Sequence, residues 1–367
     1  MCSACRFAFS AKNYTHPLLL PLSWLYGVGV EIRNRLYDKG VLKTTSPSLP
    51  TICVGNLSVG GTGKTPHVEY LIRLLSPRYR VAVLSRGYRR KSRGYLLAHM
   101  DTPMEQIGDE PWQMKQKFGD EIHVAVDANR PEGIRRLQEN KETSDTQVVL
   151  LDDAFQHRAI KAGLNILLMD CHRLICDDWL LPAGRLREPA KGANRADVVV
   201  VTKCPPDITP MDCRVIRTRL RLRPHQQLFF STLRYDRLQA LFGNDIRTLE
   251  QIKTEKASVL LVTGIASPHQ MEQDLRPYAS RITPLPFPDH HYYTAQDVRH
   301  ICQALETLPA PRIIITTEKD ATRLQGLQGL TPEARESLYV LPIRVEILQE
   351  RNTKLNQIIE DYVRQNS

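Results

Sequence analysis

Several features are missing from this 367-residue sequence, and each absence excludes a class of protein. No apolar run reaches the roughly 20 residues needed to cross a bilayer, so a membrane-spanning helix is not expected. The eight cysteines, at 2, 5, 53, 171, 176, 204, 213 and 302, lack the CxxC…CxxC spacing of a zinc ribbon and the density of a disulfide scaffold, which favours a reduced compartment. Cys2 and Cys5 form a lone CxxC at the terminus, read as incidental. No repeat or low-complexity tract appears, and no basic stretch is interleaved with the aromatics that stack bases, which counts against nucleic acid. What is present is ordinary globular composition, 42% hydrophobic and 25% charged, with a net charge of +10 that favours a polyanionic partner: nucleic acid, an anionic membrane or a phosphorylated substrate.

The longest apolar stretch, Pro17 to Val30, is too short to span and is interrupted by prolines, with no small-x-small cleavage site after it. Leu22, Leu25, Gly29, Ile32 and Leu36 recur at helical spacing. Two readings fit: a helix packed on the domain, or a helix lying in a membrane interface. Trp24, Tyr26, Arg33, Arg35, Lys39 and Lys43 suit the second.

The phosphate chemistry begins at Thr51-Ile52-Cys53-Val54, a short buried strand, followed by the loop Gly55 to Thr65 and a helix over His67–Leu75. Within the loop, Ser58, Val59, Gly60, Gly61, Thr62, Gly63, Lys64 and Thr65 make a P-loop pattern. The glycines let backbone N–H groups converge on phosphate oxygens, Lys64 reaches the β/γ-phosphates and the Thr65 hydroxyl faces Mg²⁺. The usual first glycine is replaced by Ser58, and Val59 stands where deviant-loop ATPases carry a lysine, which weighs against a dimeric switch ATPase. The apolar run Val148 to Leu151 then ends in Asp152-Asp153, the pattern of a strand whose acids hold the metal beside the P-loop. A further run, Val198 to Val201, leads into Thr202-Lys203-Cys204-Pro205, whose end approaches the nucleotide base in this reading. Pro205 replaces the aspartate that reads guanine, so ATP is expected.

Seven segments in order, VGNLSVGGTGKTP (54 to 66), LSRGYRRKSRGY (84 to 95), GDEP (108 to 111), LLDDAFQH (150 to 157), LLPAGRLREP (180 to 189), FPDHH (287 to 291) and TTEKDATRL (316 to 324), closely resemble the tetraacyldisaccharide 4′-kinases. The resemblance implies an enzyme that transfers the ATP γ-phosphate, with Mg²⁺, to the 4′-hydroxyl of a tetraacylated glucosamine disaccharide 1-phosphate, the lipid A precursor. It also implies peripheral attachment at the cytoplasmic face of a Gram-negative inner membrane.

From the same resemblance Asp109 is expected to accept the sugar hydroxyl's proton, paired with His290, or less favourably His291. Local sequence alone reads Asp109 as a helix N-cap before Pro111. The metal set is Thr65, Asp152, Asp153 and Glu188. Arg86, Arg89, Arg130, Gln156, His157, Arg185 and Arg187 form the substrate-contacting set, the arginines because their forks match phosphate. Arg90, Lys91 and Arg93 extend the basic stretch, for which a solvated loop is the alternative. Arg217, Arg219, Arg221 and Arg223 alternate with Thr218, Leu220 and Leu222, the period of a strand with one basic face.

The expected architecture is α/β: a doubly wound, mainly parallel P-loop sheet with a second, smaller α/β domain and an N-terminal amphipathic helix. The segments are 1–40 for the membrane-surface helix, 41–210 for the kinase core and 211–367 for the closing domain, which includes a last helix near Leu348 to Val363. Asp109 and His290 then fall in different domains, so closure on ATP is expected. A monomer is expected, and residues 1 to about 12 read as dispensable. Two rivals remain, a P-loop GTPase or metal-chaperone-like ATPase and a membrane nucleotide switch that phosphorylates nothing.

Overall fold

The computed structural model describes residues 17–265, 268–289, 291–349 and 351–366. The terminal CxxC, the dispensable start and His290 lie outside the described residues. The chain divides into two compact units, Met1–Leu233 with Val345–Ser367, and Arg234–Arg344.

The first unit is built on one nine-stranded sheet. Its strands are β1 (Thr51–Asn56), β2 (Val81–Ser85), β3 (Leu96–Ala98), β4 (Ile122–Val126), β5 (Val148–Asp152), β6 (Leu164–Asp170), β7 (Val198–Thr202), β8 (Gln227–Tyr235) and, from the chain's return, β15 (Ile343–Ile347), in the order β15-β8-β7-β6-β1-β5-β2-β4-β3. The pairs from β8 through β4 are parallel, and β3 runs antiparallel on the edge. The near-continuous apolar runs noted in the sequence follow from this position: a parallel strand covered on both faces must be apolar at every residue. Ile52 and Val54 of β1 face one buried layer while Cys53 faces the other, and Val148/Leu150 and Val149/Leu151 of β5 divide the same way. β1, which carries the P-loop, sits between β6 and β5, where the crossovers diverge and ligands gather.

The second unit has a six-stranded sheet ordered β10-β9-β14-β13-β11-β12, from β9 (Leu238–Ala240), β10 (Ile246–Arg247), β11 (Ser258–Thr263), β12 (Arg281–Pro286), β13 (Arg312–Thr317) and β14 (Leu338–Leu341). Leu260 and Val262 of β11 pack on one side of it, Val259 and Leu261 on the other.

Three expectations are corrected. The division falls at 233/234 rather than near 210: Pro210 opens a helix, Pro210–Leu220, capped by reciprocal bonds between Thr209 and Asp212, so the prolines start an element instead of a linker. Arg217 and Arg219 therefore lie on that helix and not on a strand, and Arg221 ends it in a left-handed conformation at φ +47°. The last helix, Asn352–Asn366, belongs to the first unit, where Leu355, Ile359 and Val363 share a buried layer with Val68 and Ile72 of the P-loop helix.

The N-terminal helix spans Leu20–Asp38, and its burial is inverted relative to a packed helix. Ser23 and Asn34 are buried, whereas Leu22, Trp24 and Leu25 are 53%, 69% and 59% exposed. The Leu22, Leu25, Gly29, Ile32 stripe points outward, so the helix packs on the domain through its other side. Its polar side is what docks: Ser23 Oγ donates to Leu180 O at 3.0 Å and accepts from Ala183 N, Tyr26 donates to Arg187 O at 2.7 Å, and Arg33 donates to Gln156 O at 3.0 Å.

Candidate active site

The loop after β1 is held open from below. Gly60 and Gly63 take φ values of +111° and +81°, which only glycine adopts without strain, and Gly63 precedes the first turn of the Lys64–Leu75 helix. Thr62 is buried, accepting from Asn56 Nδ2 at 2.9 Å, while its carbonyl accepts from Thr202 Oγ1 of β7 at 2.9 Å. His67, one turn into the helix, donates Nδ1–H to Gly63 O at 2.7 Å and accepts at Nε2 from Ser231. Burial pushes this imidazole down to about 4, so it stays neutral and acts as a fixed strut. Ser58 bridges to Leu186, and Val59 N donates to Arg185 O at 2.8 Å, which binds the outer limb of the loop to the 185–188 segment. The sequence reading brings the segment opened by Thr202 toward the nucleotide base, whereas His67 does not stand out in the sequence, because its Nε2 partner Ser231 is 164 positions away.

Asp152 pairs in register with Val54 at the end of β5, which sets both acids beside the loop. They are not alike. Asp153, at φ +47°, lies 3.8 Å from Lys64 Nζ and accepts both Nη atoms of Arg187, at 2.9 and 3.3 Å. Burial alone would raise its pKa, but Lys64 and then Arg187 outweigh that and hold it below the ordinary carboxylate range. Asp152 is buried, accepts Ser85 Oγ at 3.2 Å through Oδ2, and has no protein partner for Oδ1 among the described residues. Burial, then the Asp153 charge, push it up to about 6, and Lys64 opposes them. The charge of Glu110, a residue the sequence reading passed over beside Asp109, adds to the rise.

Arg130 sits underneath these acids, 2% exposed, donating Nη1 to Asp127 O and Nη2 to Asp152 O. It braces the end of β5, and its burial removes it from the surface an acceptor would approach. Gln156 Nε2 donates to Asn56 O and His157 is half-buried, its pKa lowered by burial and then by Arg130, Arg33 and Arg86. Glu188 is buried and committed to Arg195 at 2.8 Å and Asn34 Nδ2 at 3.4 Å. Arg185 is exposed, its backbone N–H donating to Asp178.

The basic turn after β2 meets the GDEP segment at two glycines. A Cβ on Gly87 would lie 2.8 Å from Ile107 O, and one on Gly108 would lie 2.9 Å from Tyr88 O, so the close approach requires glycine on both sides. Arg86 and Arg89 are exposed on this turn, Arg89 over the Tyr88 ring at 5.4 Å, whereas Arg90 is tied to Gly94 O and Val126 O. Gly108 occupies the cap position of the Asp109–Phe118 helix and Asp109 is its first residue, so the N-cap reading of Asp109 does not hold. In the second unit His291 is paired with Asp297 at 3.0 Å and packs between Phe287 and Tyr293.

The donor types fit a hard cation: Asp152 keeps a buried carboxylate oxygen without a protein partner among the described residues, and Thr65 offers a hydroxyl from the first turn of the P-loop helix. Comparison with known proteins agrees with this geometry. The profile of the family described as LpxK, tetraacyldisaccharide-1-P 4′-kinase, matches residues 15–364. A tetraacyldisaccharide 4′-kinase of Phocaeicola vulgatus is 54% identical over 352 residues, 95% of each chain. One of Bacteroides fragilis is 52% identical over 357 residues, 96% of this chain and 94% of that protein. The crystal structure of LpxK from Aquifex aeolicus in complex with ATP has a TM-score of 0.72 at 32% identity, covering 95% of this chain and 99% of that one.

Proposed function

The chain belongs to the tetraacyldisaccharide 4′-kinase family, and from that premise we propose how its residues carry out the family's reaction. The enzyme transfers the ATP γ-phosphate to the 4′-hydroxyl of a tetraacylated glucosamine disaccharide 1-phosphate in lipid A biosynthesis, using Mg²⁺. The rival GTPase, metal-chaperone and switch readings are not favoured by this membership.

The observation that carries the residue assignments is the meeting of Lys64, Asp153 and Arg187 beside the partnerless oxygen of Asp152, at the ends of β1 and β5. Backbone N–H groups of residues 60 to 65 cradle the phosphates and Lys64 neutralises the charge that grows on the β/γ oxygens. Thr65 and Asp152 would hold Mg²⁺, which when bound offsets charge on the phosphate oxygens. Asp153 and Glu188 become ligands only by sharing the cations that already hold them. Asp109 accepts the proton of the 4′-hydroxyl as that oxygen bonds to the γ-phosphorus and the bridge to ADP breaks. His290 is carried from the family resemblance as its imidazole partner. Arg86 and Arg89 are placed to take a substrate phosphate.

We place the acceptor in a membrane surface, at the cytoplasmic face of the inner membrane. The outward leucines and tryptophan of the Leu20–Asp38 helix support this, and no described helix is long and apolar enough to cross. Transfer of labelled γ-phosphate to the disaccharide 1-phosphate lipid tests the assignment: Lys64→Ala and Asp109→Ala should each lose transfer, and wild-type turnover by both would overturn it.

A further inference from the structure

On β6, the strand beside β1, the C-terminal end brings three different metal-binding side chains to one point. Ligand atoms of Asp170, Cys171 and His172 all lie within 4.8 Å of one another. Consecutive residues of an extended strand would point to alternate sides. Here the strand stops at Asp170, and the chain curls: Arg173 N returns to Asp170 O at 3.0 Å and Cys171 N bonds Thr202 O at 2.9 Å.

His172 Nδ1 lies 3.3 Å from Cys171 Sγ and 3.0 Å from Asp170 Oδ1. A nucleophile relay would place thiol and carboxylate on opposite ring nitrogens. Both face the same nitrogen, which is convergence on a shared centre. Tetrahedral coordination with bonds of about 2.0 to 2.3 Å has ligand-to-ligand edges of about 3.3 to 3.8 Å, so the spacings of 3.3 and 3.0 Å to His172 Nδ1 lie at or just below those of a bound site and need only open slightly.

We propose that Asp170, Cys171 and His172 form a binding site for a thiophilic divalent cation such as Zn²⁺, separate from the Mg²⁺ site at Asp152. The donor atoms make the selectivity: sulfur and imidazole nitrogen favour zinc, whereas the oxygens of Thr65 and Asp152 favour Mg²⁺. The surroundings support the ligands. Lys203 Nζ holds the other carboxylate oxygen of Asp170 at 3.0 Å, and the Cys171 thiol donates to Lys203 O at 2.9 Å. Cys171 is fully buried, and the largely exposed His172 ring leaves an approach from solvent.

The test uses the full chain carrying Cys2→Ser and Cys5→Ser, which removes the terminal thiols as competitors, titrated with Co²⁺. One Co²⁺ per chain is expected, with a thiolate-to-cobalt absorption band that Zn²⁺ abolishes. Cys171→Ser should remove the band, and the exposed His172→Ala, which leaves the core untouched, should weaken Co²⁺ binding at least about tenfold. No thiolate band, or a band unchanged in His172→Ala, would overturn the proposal. So would recovery of Cys171 and Cys204 as a disulfide in protein that takes up no metal.

Discussion

Lys64 Nζ stands 3.8 Å from Asp153 Oδ1, and the same oxygen accepts Arg187 Nη2 at 2.9 Å. One carboxylate thus sets the positions of two cations beside the phosphate loop. In the proposed reaction, loss of Lys64 removes a charge that acts on the transferring phosphoryl group. Lys64→Ala is expected to lower kcat by about 10²- to 10³-fold, the cost of one well-placed stabilising group. Steady-state kinetics check it, and a kcat within about tenfold of wild type would remove Lys64 from the phosphate contacts.

Asp152 makes a prediction of opposite sign to the usual paired carboxylate. Its pKa is raised from 3.8 to about 6, so between these values the folded protein keeps a proton that the unfolded chain has released. Stability from this group is therefore full below about pH 4 and lost as pH rises through about 6. The difference between 3.8 and about 6 corresponds to about 3 kcal/mol. Asp152→Asn has no such titration, so in urea melts its stability relative to wild type should rise by about that amount between pH 4 and pH 7. If Mg²⁺ is held by this carboxylate as proposed, its affinity should fall as pH drops through about 6. A pH-independent difference between the two proteins would remove the shift.

Much of this site was legible because it is local. Thr51 to Val54, the glycines and Lys64 sit within one strand-loop-helix, and Val148 to Asp153 reads as a buried strand because both its faces are covered. What was not legible depended on distant partners or on a competing local signal. The alternation from Arg217 to Arg223 imitates a strand, but the Thr209–Asp212 capping box with Pro210 starts a helix, and capping outweighs a short polar alternation. Arg130 looks like any surface arginine until β5 is placed above it. The inverted N-terminal helix was readable as a stripe, yet which side faces outward is decided by Ser23, Tyr26 and Asn34 meeting residues near 180 to 188.

Asp109 is the first residue of a helix whose capping position belongs to Gly108, so it does not serve as the N-cap. Asp109→Ala should lower phosphoryl transfer by about 10²- to 10⁴-fold, the range for a positioned general base, while ATP binding stays within a fewfold of wild type. Equilibrium nucleotide binding and single-turnover transfer, measured together, separate these outcomes. Parallel loss of both would make Asp109 a structural or nucleotide-binding group instead.

Leu22, Trp24 and Leu25 are exposed, so replacing them with serine should leave thermal stability unchanged. If they enter a bilayer interface, each contributes about 1.5 to 3 kcal/mol through burial of apolar surface. The triple variant should then bind anionic phospholipid vesicles about a thousandfold more weakly in co-sedimentation. Equal binding by both proteins would remove the helix as the membrane contact.

The Asn352–Asn366 helix provides a test of which unit the C-terminus completes. Leu355, Ile359 and Val363 are buried against the layer that includes Val68 and Ile72, and Tyr362 OH accepts from Thr51 N at 3.0 Å and donates to Thr51 O at 3.1 Å, at the start of the P-loop strand. Ile359→Ala deletes buried methyl and methylene groups from a site that cannot readily collapse between helix and sheet, and such changes cost about 2 to 5 kcal/mol. Removal of residues 350–367 deletes all three side chains, about 5 to 9 kcal/mol of burial, comparable with the entire stability of a domain. Ile359→Ala should therefore lower the melting temperature of the ATP-binding unit, and the truncation should abolish ATP binding although no residue of the phosphate loop is touched. Were the helix part of the Arg234–Arg344 unit, the truncated chain would bind ATP as the intact one does.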